Sequence, residues 1–411
     1  MTFRNSLNIG LIACCLIFSG LVSAKKYYNS YANLVMAGYQ GWFNTTDDGL
    51  QRGWRHLGGY DGFRPGSCNI DIWPDVSEYA KTYKTNFRFA NGSVARVFSS
   101  ADRSTIDTHF RWMKEYGIDG VFMQRFVAEI KNRSGLKHFN NVLDNAFSAA
   151  NRYNRAICVM YDLSGMRAGD AKIVLADIDS LSRKYDLKNR VKAPTYLFEN
   201  RKPLVCVWGV GFNDNRNYGL NDASQIINGL TKRGFSVMIG VPAHWRELSN
   251  DAVADAMLHK LIKRCDVLLP WFVGRYNEQT YSSYTKLITE DLKWCKLNNI
   301  QYVPLVYPGF SWKNMKGNNT IQIARNRGAF FWKQIHGALN AGCKTLYIAM
   351  FDEMDEGTAI FKAATEVPIG ESRFIAIDKD LGSDYYLWLA GKAAYMLQNN
   401  IKISPVIPDR K

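Results

Sequence analysis

Short apolar runs separated by longer amphipathic stretches recur along the chain, an alternation that predicts parallel strands joined by crossover helices. Strand-like runs begin near Leu34, Ile118, Ile157, Leu204, Val237, Val267, Val303 and Leu346, eight in all. A ninth run, Val94 to Phe98, reads as an approach to the first crossover helix. Asp102-Arg103-Ser104 opens that helix, and Ile106, Phe110, Met113 and Tyr116 supply its apolar stripe down to Gly117. Eight such units in 411 residues predict an α/β fold, a single (β/α)8 TIM barrel with enlarged βα loops. No Pro-, Ser- or Gly-rich linker divides the chain, so residues 25–411 read as one domain.

The last run ends differently from the others. Leu346 to Phe351 is continuously apolar, as in a strand buried on both faces, and Asp352, Glu353, Asp355 and Glu356 follow before Gly357-Thr358. Like charges this close raise one another's proton affinity, so an acid and a base can coexist at neutral pH. A helical turn after Phe351 would put Glu353 and Glu356 at i and i+3 on one face, about 5–6 Å apart at Cβ. Such a pair suits a glycosidic bond, since retaining glycosidases hold their carboxyls about 5–5.5 Å apart and inverting ones about 6.5–9.5 Å. An acidic helix N-terminus or a solvated acidic loop fits the same residues. The spaced acids and terminal Glu of an EF-hand are missing.

FDEMDEGTAIFK, residues 351–362, resembles the E-x-x-E-G-T segment of the glycoside hydrolase family 99 and family 71 group, above all its bacterial family-99-like branch. GYQGWF at 38–43, VFSSAD at 97–102 and HFRWMKEYGIDGVFMQRF at 109–126 extend the likeness over nearly the whole chain. The resemblance implies a (β/α)8 barrel hydrolysing a glycan, without a cofactor. It implies that Glu353 deprotonates the sugar 2-hydroxyl to give a 1,2-anhydro intermediate, with retention, while Glu356 is general acid and then base. Met354 and Asp355 stand where better-known members carry an aromatic and a His or Asn, so mannose as substrate does not carry over. A carbohydrate-binding or glycan-assembly protein that kept the barrel and lost hydrolysis fits the same change.

Barrel sites are built from residues at the C-terminal ends of the strands. There the sequence places Tyr39, Gln40 and Trp42 after the first strand, Gln124 and Arg125 at the second, Tyr161 and Asp162 at the third and Trp208 at the fourth. His244 and Trp245 follow the fifth, Trp271 the sixth, and Tyr307 and Trp312 the seventh, with Asp352 and Asp355 beside the two glutamates. Aromatic faces stack on the C–H faces of pyranose rings and polar neighbours meet their hydroxyls, so these residues are candidate substrate contacts. Each taken singly also suits core or rim packing. Arg125 has two readings, a partner for the acids after Phe351 or for a structural acid.

Residues 1–24 carry Arg4, an apolar core from Leu11 to Val22 and a Val22-Ser23-Ala24 cleavage site, the pattern of a signal peptide for export to the periplasm or beyond. Leu11-Ile12-Ala13-Cys14 also resembles a lipobox, although the apolar core runs on past Cys14. Cys68, Cys158, Cys206, Cys265, Cys295 and Cys343 remain after cleavage, with no C-x-x-C or Cys/His cluster to suggest a metal. One disulfide among them is compatible with export, though spacing assigns no pair. The net charge of +15 fits an anionic glycan partner or simply a basic surface, and its spread along the chain lacks the clustered stripe of a nucleic-acid binder. No phosphate loop, dinucleotide fingerprint or nucleophile elbow is present. Asn44, Asn91, Asn132 and Asn318 head glycosylation sequons, which matter only in a eukaryotic secretory pathway.

Overall fold

The computed structural model describes residues 26–317 and 320–410. The signal peptide and the Asn318 sequon expected from sequence lie outside them. Among the described residues eight parallel strands form the central sheet: Val35–Tyr39, Gly120–Phe126, Ala156–Asp162, Lys202–Trp208, Ser236–Pro242, Val267–Trp271, a seventh in two pieces at Gln301–Tyr302 and Leu305–Val306, and Leu346–Ile348. Their starts match the apolar runs of the sequence to within a few residues. The second, third and fifth strands are buried at all seven positions, as expected for a sheet covered on both sides.

The sheet closes on itself. Gln301–Tyr302 pairs with the sixth strand and Leu305–Val306 with the eighth, while the eighth pairs with the first. Pro304 lacks an N–H and divides the seventh strand, but its carbonyl still accepts from Tyr347 N at 3.0 Å. Helices Arg103–Tyr116, Arg133–Tyr153, Ala171–Tyr185, Leu220–Lys232, Met257–Ile262, Tyr281–Leu297, Ala329–Asn340 and Tyr385–Gln398 follow the strands in turn and form the outer layer. Among the described residues no helix is long and apolar enough to cross a membrane.

Two sequence expectations change in detail. The run Val94 to Phe98 is one arm of an antiparallel hairpin with Tyr83–Arg88, inside a long insertion between the first strand and its helix. Asp102 does stand at the start of that helix, but its carboxylate accepts from Lys81 Nζ and Tyr83 OH, both at 2.8 Å, and caps no helical N–H. The six described cysteines are all free and buried, in keeping with their apolar runs.

Candidate active site

The eighth strand delivers its acids into a turn, not the helical turn considered from sequence. Gly357 adopts φ +64°, a left-handed conformation that glycine takes at little cost, and its N–H reaches Met354 O at 3.3 Å. Thr358 N and Ala359 N both donate to Glu353 O, at 3.2 and 2.9 Å. The chain therefore folds back on Glu353 and holds residues 353–358 as one compact loop over the barrel mouth.

The four acids have different partners. Asp352 is fully buried and accepts from Gln40 N at 2.7 Å and Gly41 N at 2.9 Å, tying the eighth strand to the end of the first. It has no face left for a ligand, a correction to its place among the candidate sugar contacts. Glu353 is 4% exposed; its two oxygens accept from Gln40 Nε2 and, at 2.8 Å, from Thr358 Oγ1. Asp355 meets His56 Nδ1 at 3.3 Å through one oxygen, and the Trp42 side chain also acts on it. Glu356 is partly exposed, with its backbone carbonyl held by Ser311 N at 2.9 Å.

Burial sets the protonation of this cluster. It pushes Glu353 well above the usual carboxylate range, the charges of Glu356 and Asp355 add to it, and the Thr358 and Gln40 donors pull the other way. Glu356 is pushed up to about 7 by burial and by Asp355, against a pull from Trp312 and Lys316. Asp355 rises to about 8 and Asp352 to about 7, chiefly from burial. Such neighbours share protons near neutrality instead of all ionising together.

Around the turn stand four partly exposed tryptophans. Trp42 stacks on His56 at 3.9 Å and on Phe126 at 4.8 Å. Trp312 acts on Glu356 and has Lys316 Nζ 3.3 Å above its ring. Trp208 and Trp271 meet edge to face at 5.1 Å, with Arg216 5.1 Å from the Trp208 ring. Gly240 makes this possible, because a Cβ there would lie 2.4 Å from the Trp208 ring. The indole N–H of Trp208 and the amide oxygens of Gln40 and Gln124 are buried without a partner, so they offer hydrogen bonds to a hydroxyl-rich ligand, while the indole N–H groups of Trp42 and Trp312 act on Asp355 and Glu356. Asp162 joins this face, accepting from Ser164 N at 2.7 Å and acting on Glu356.

Other expected contacts point away from the barrel mouth. Side chains alternate along a strand, so a residue next to an inward one faces the helices. Tyr39 donates to or accepts from His109 Nδ1 at 2.7 Å on the first helix. Arg125 pairs with Asp177 of helix Ala171–Tyr185 at 2.7 Å and Tyr161 OH donates to the same carboxylate, so the structural acid is the partner and the reading of Arg125 as a contact of the acidic turn falls. Trp245 is fully buried and donates to Asp291 at 3.2 Å. Tyr307 is also buried, its hydroxyl on Tyr276 O at 2.5 Å. His244 is half-buried beside Glu247 and Tyr284, apart from the acidic turn.

His56 went unnoticed in the sequence. It lies in the long insertion after the first strand, where no strand end marks it, yet it links Trp42 to Asp355. Burial and the charge of Arg55 lower it to about 3, so the ring is neutral at pH 7. Among the described residues no group of three or more His, Cys, Asp or Glu side chains is placed to hold a metal ion.

No family model matches the chain. It is 22% identical over 273 residues to the glycoprotein endo-alpha-1,2-mannosidase of Rattus norvegicus and 23% over 283 residues to that of Mus musculus, covering 65% of this chain each time. The matched part is 55% of either relative, so the chain spans about half the length of the curated relatives it matches. In three dimensions the family 99 endo-alpha-mannosidase of Bacteroides thetaiotaomicron superposes with a TM-score of 0.65 over 90% of this chain and 99% of that one, at 16% identity. A glycoside hydrolase-like protein superposes at 0.50 over 79% and 94%, at 13% identity. The barrel is that of the family 99 endo-alpha-mannosidases, and with the sequence likeness it makes this a chain similar to glycoside hydrolase family 99.

Proposed function

We propose that the chain is an exported glycoside hydrolase that cleaves an internal bond of a glycan with retention, using Glu353 and Glu356. The observation that carries this reading is the pair itself: two acids on one turn at the C-terminal end of the last barrel strand, raised in pKa, ringed by tryptophans and by unpartnered polar groups. The α-mannosides acted on by the relatives are the first substrates to test, and an anionic glycan is the second.

To act as the base Glu353 must ionise against burial and the charges of Glu356 and Asp355, and the Gln40 and Thr358 donors are the groups that favour its carboxylate. It takes the proton of the sugar 2-hydroxyl as that oxygen attacks C1, while Glu356 gives its proton to the departing glycosidic oxygen. A 1,2-anhydro sugar results. Water then attacks C1 and breaks its bond to O2, Glu356 recovers a proton from that water, and O2 regains its proton from Glu353. Two displacements at C1 restore the original configuration. Glu356, pushed up to about 7, is suited to hold a proton in the first step and accept one in the second.

Glu356→Gln should abolish turnover while leaving glycan binding measurable by calorimetry. Activity within a few fold of the parent protein would remove Glu356 from the mechanism. Tight binding with no product from the unaltered protein on every bound glycan would favour a binding protein instead. For export, the mature N-terminus should be Lys25 by mass spectrometry, and retention of residues 1–24 would refute cleavage there.

A further inference from the structure

Arg325 is 7% exposed and carries no ion pair among the described residues. Its Nη2 donates to Gly357 O at 3.0 Å and Ala359 O at 2.5 Å, the backbone just behind the acidic turn. Nε and Nη1 have no partner, and the guanidinium lies 4.4 Å over the Tyr386 ring. A buried cation whose neighbours are two carbonyls and the Tyr386 side chain has no anion to compensate its charge, which is costly in a protein interior. The side chain lines a cavity of about 450 Å³ between the Phe310–Ser311 hairpin and the segment around Ile375, with Phe310, Ile323 and Ile375 as apolar wall. Asp378 also borders it, but Arg327 engages that carboxylate at 3.1 Å.

We propose that this cavity is an oxyanion-binding site, with a single free N–H of Arg325, on Nη1 or Nε, donating to a carboxylate or sulfate group whose carrier packs on the apolar wall. Because Nη2 is committed to two carbonyls, the paired Nε–Nη2 edge is closed and the group is held by single hydrogen bonds. The same Arg325 braces Gly357 and Ala359, so the site shares a backbone with the acidic turn. The ligand chemistry has two sources, a free ion or an acidic group on a sugar.

Calorimetry at constant ionic strength with sodium sulfate, sodium acetate, D-glucuronate and D-glucose separates them, and none of these arms depends on hydrolysis. The protein should bind sulfate and glucuronate but not glucose. Arg325→Gln should weaken both at least tenfold. Ala376→Glu, on the exposed rim of the cavity, should abolish binding and raise Tm by supplying a carboxylate to an unaltered Arg325. Glucuronate binding tighter than acetate assigns the site to a sugar-borne acid, and equal affinities assign it to a free ion. Absence of sulfate and glucuronate binding, or binding unchanged in both variants, overturns the proposal.

Discussion

Gln40→Met tests how the acidic turn holds its proton. The substitution keeps the side-chain volume and the backbone N–H that Asp352 accepts, and removes only the amide donor to Glu353 Oε1. Both partners are buried, Gln40 at 6% and Glu353 at 4% exposed, so water does not replace the lost bond. A hydrogen bond to a charged group contributes about 1.5–3 kcal/mol, and each 1.4 kcal/mol is tenfold, so ionised Glu353 becomes about 10- to 100-fold harder to populate. The donor favours the charged form, so its loss moves the Glu353 pKa further upward and the acidic limb of kcat/KM with it. The assay is kcat/KM against pH on a glycan the parent protein cleaves, with the carboxyl shifts of 13C-labelled Glu as a second readout. The deficit should be largest at low pH and shrink as pH rises. An equal loss at every pH, or an unmoved limb, would refute the idea that Gln40 acts through the charge on Glu353.

Glu356→Gln should also change stability with pH. Its folded pKa, about 7, lies above the unfolded value near 4.5, so the native state holds the proton longer and stability falls as pH rises between them. The variant escapes that loss and should gain on the order of 1–2 kcal/mol at pH 8 relative to pH 4, after discounting for partial exposure, by urea unfolding. An unchanged difference between the two pH values counts against a raised carboxyl. Asp177→Ala leaves Arg125 buried without its anion and should cost about 3–5 kcal/mol in the same measurement, with KM unchanged in the folded fraction. A raised KM at undiminished stability would return Arg125 to the site. Trp42→Ala removes the ring stacked on His56 and should raise KM about fivefold, for a loss of about 1 kcal/mol, leaving kcat near the parent value.

The barrel was legible because burial on both faces writes itself as uninterrupted apolar runs, and the acids after Phe351 stood out against one of them. Which strand-end residues face the barrel mouth was not legible. At Gln124-Arg125 and Tyr161-Asp162 adjacent polar residues occupy both faces, so composition gives no parity, and Arg125 and Tyr161 go to Asp177 while Gln124 and Asp162 stay inside. Trp245 and Tyr307 misled for a related reason. Each is an aromatic side chain with a polar tip, and the partners of those tips, Asp291 and Tyr276 O, are remote in sequence or come from the backbone. His56 was hidden by its position in a loop whose course depends on long-range packing, and Arg325 by the same cause.

The divided seventh strand gives the barrel a seam. That strand shares two register pairs with each neighbour, with Val303 N on Leu268 O and Tyr347 N on Pro304 O beside them, whereas the second and third strands share seven pairs. Amide exchange under native conditions should therefore be fastest at this closure and slowest between those two strands. Since Phe310 to Trp312 follows directly and Ser311 holds Glu356 O, breathing at the seam would loosen the floor under the acid first and spare the tryptophans on the far wall.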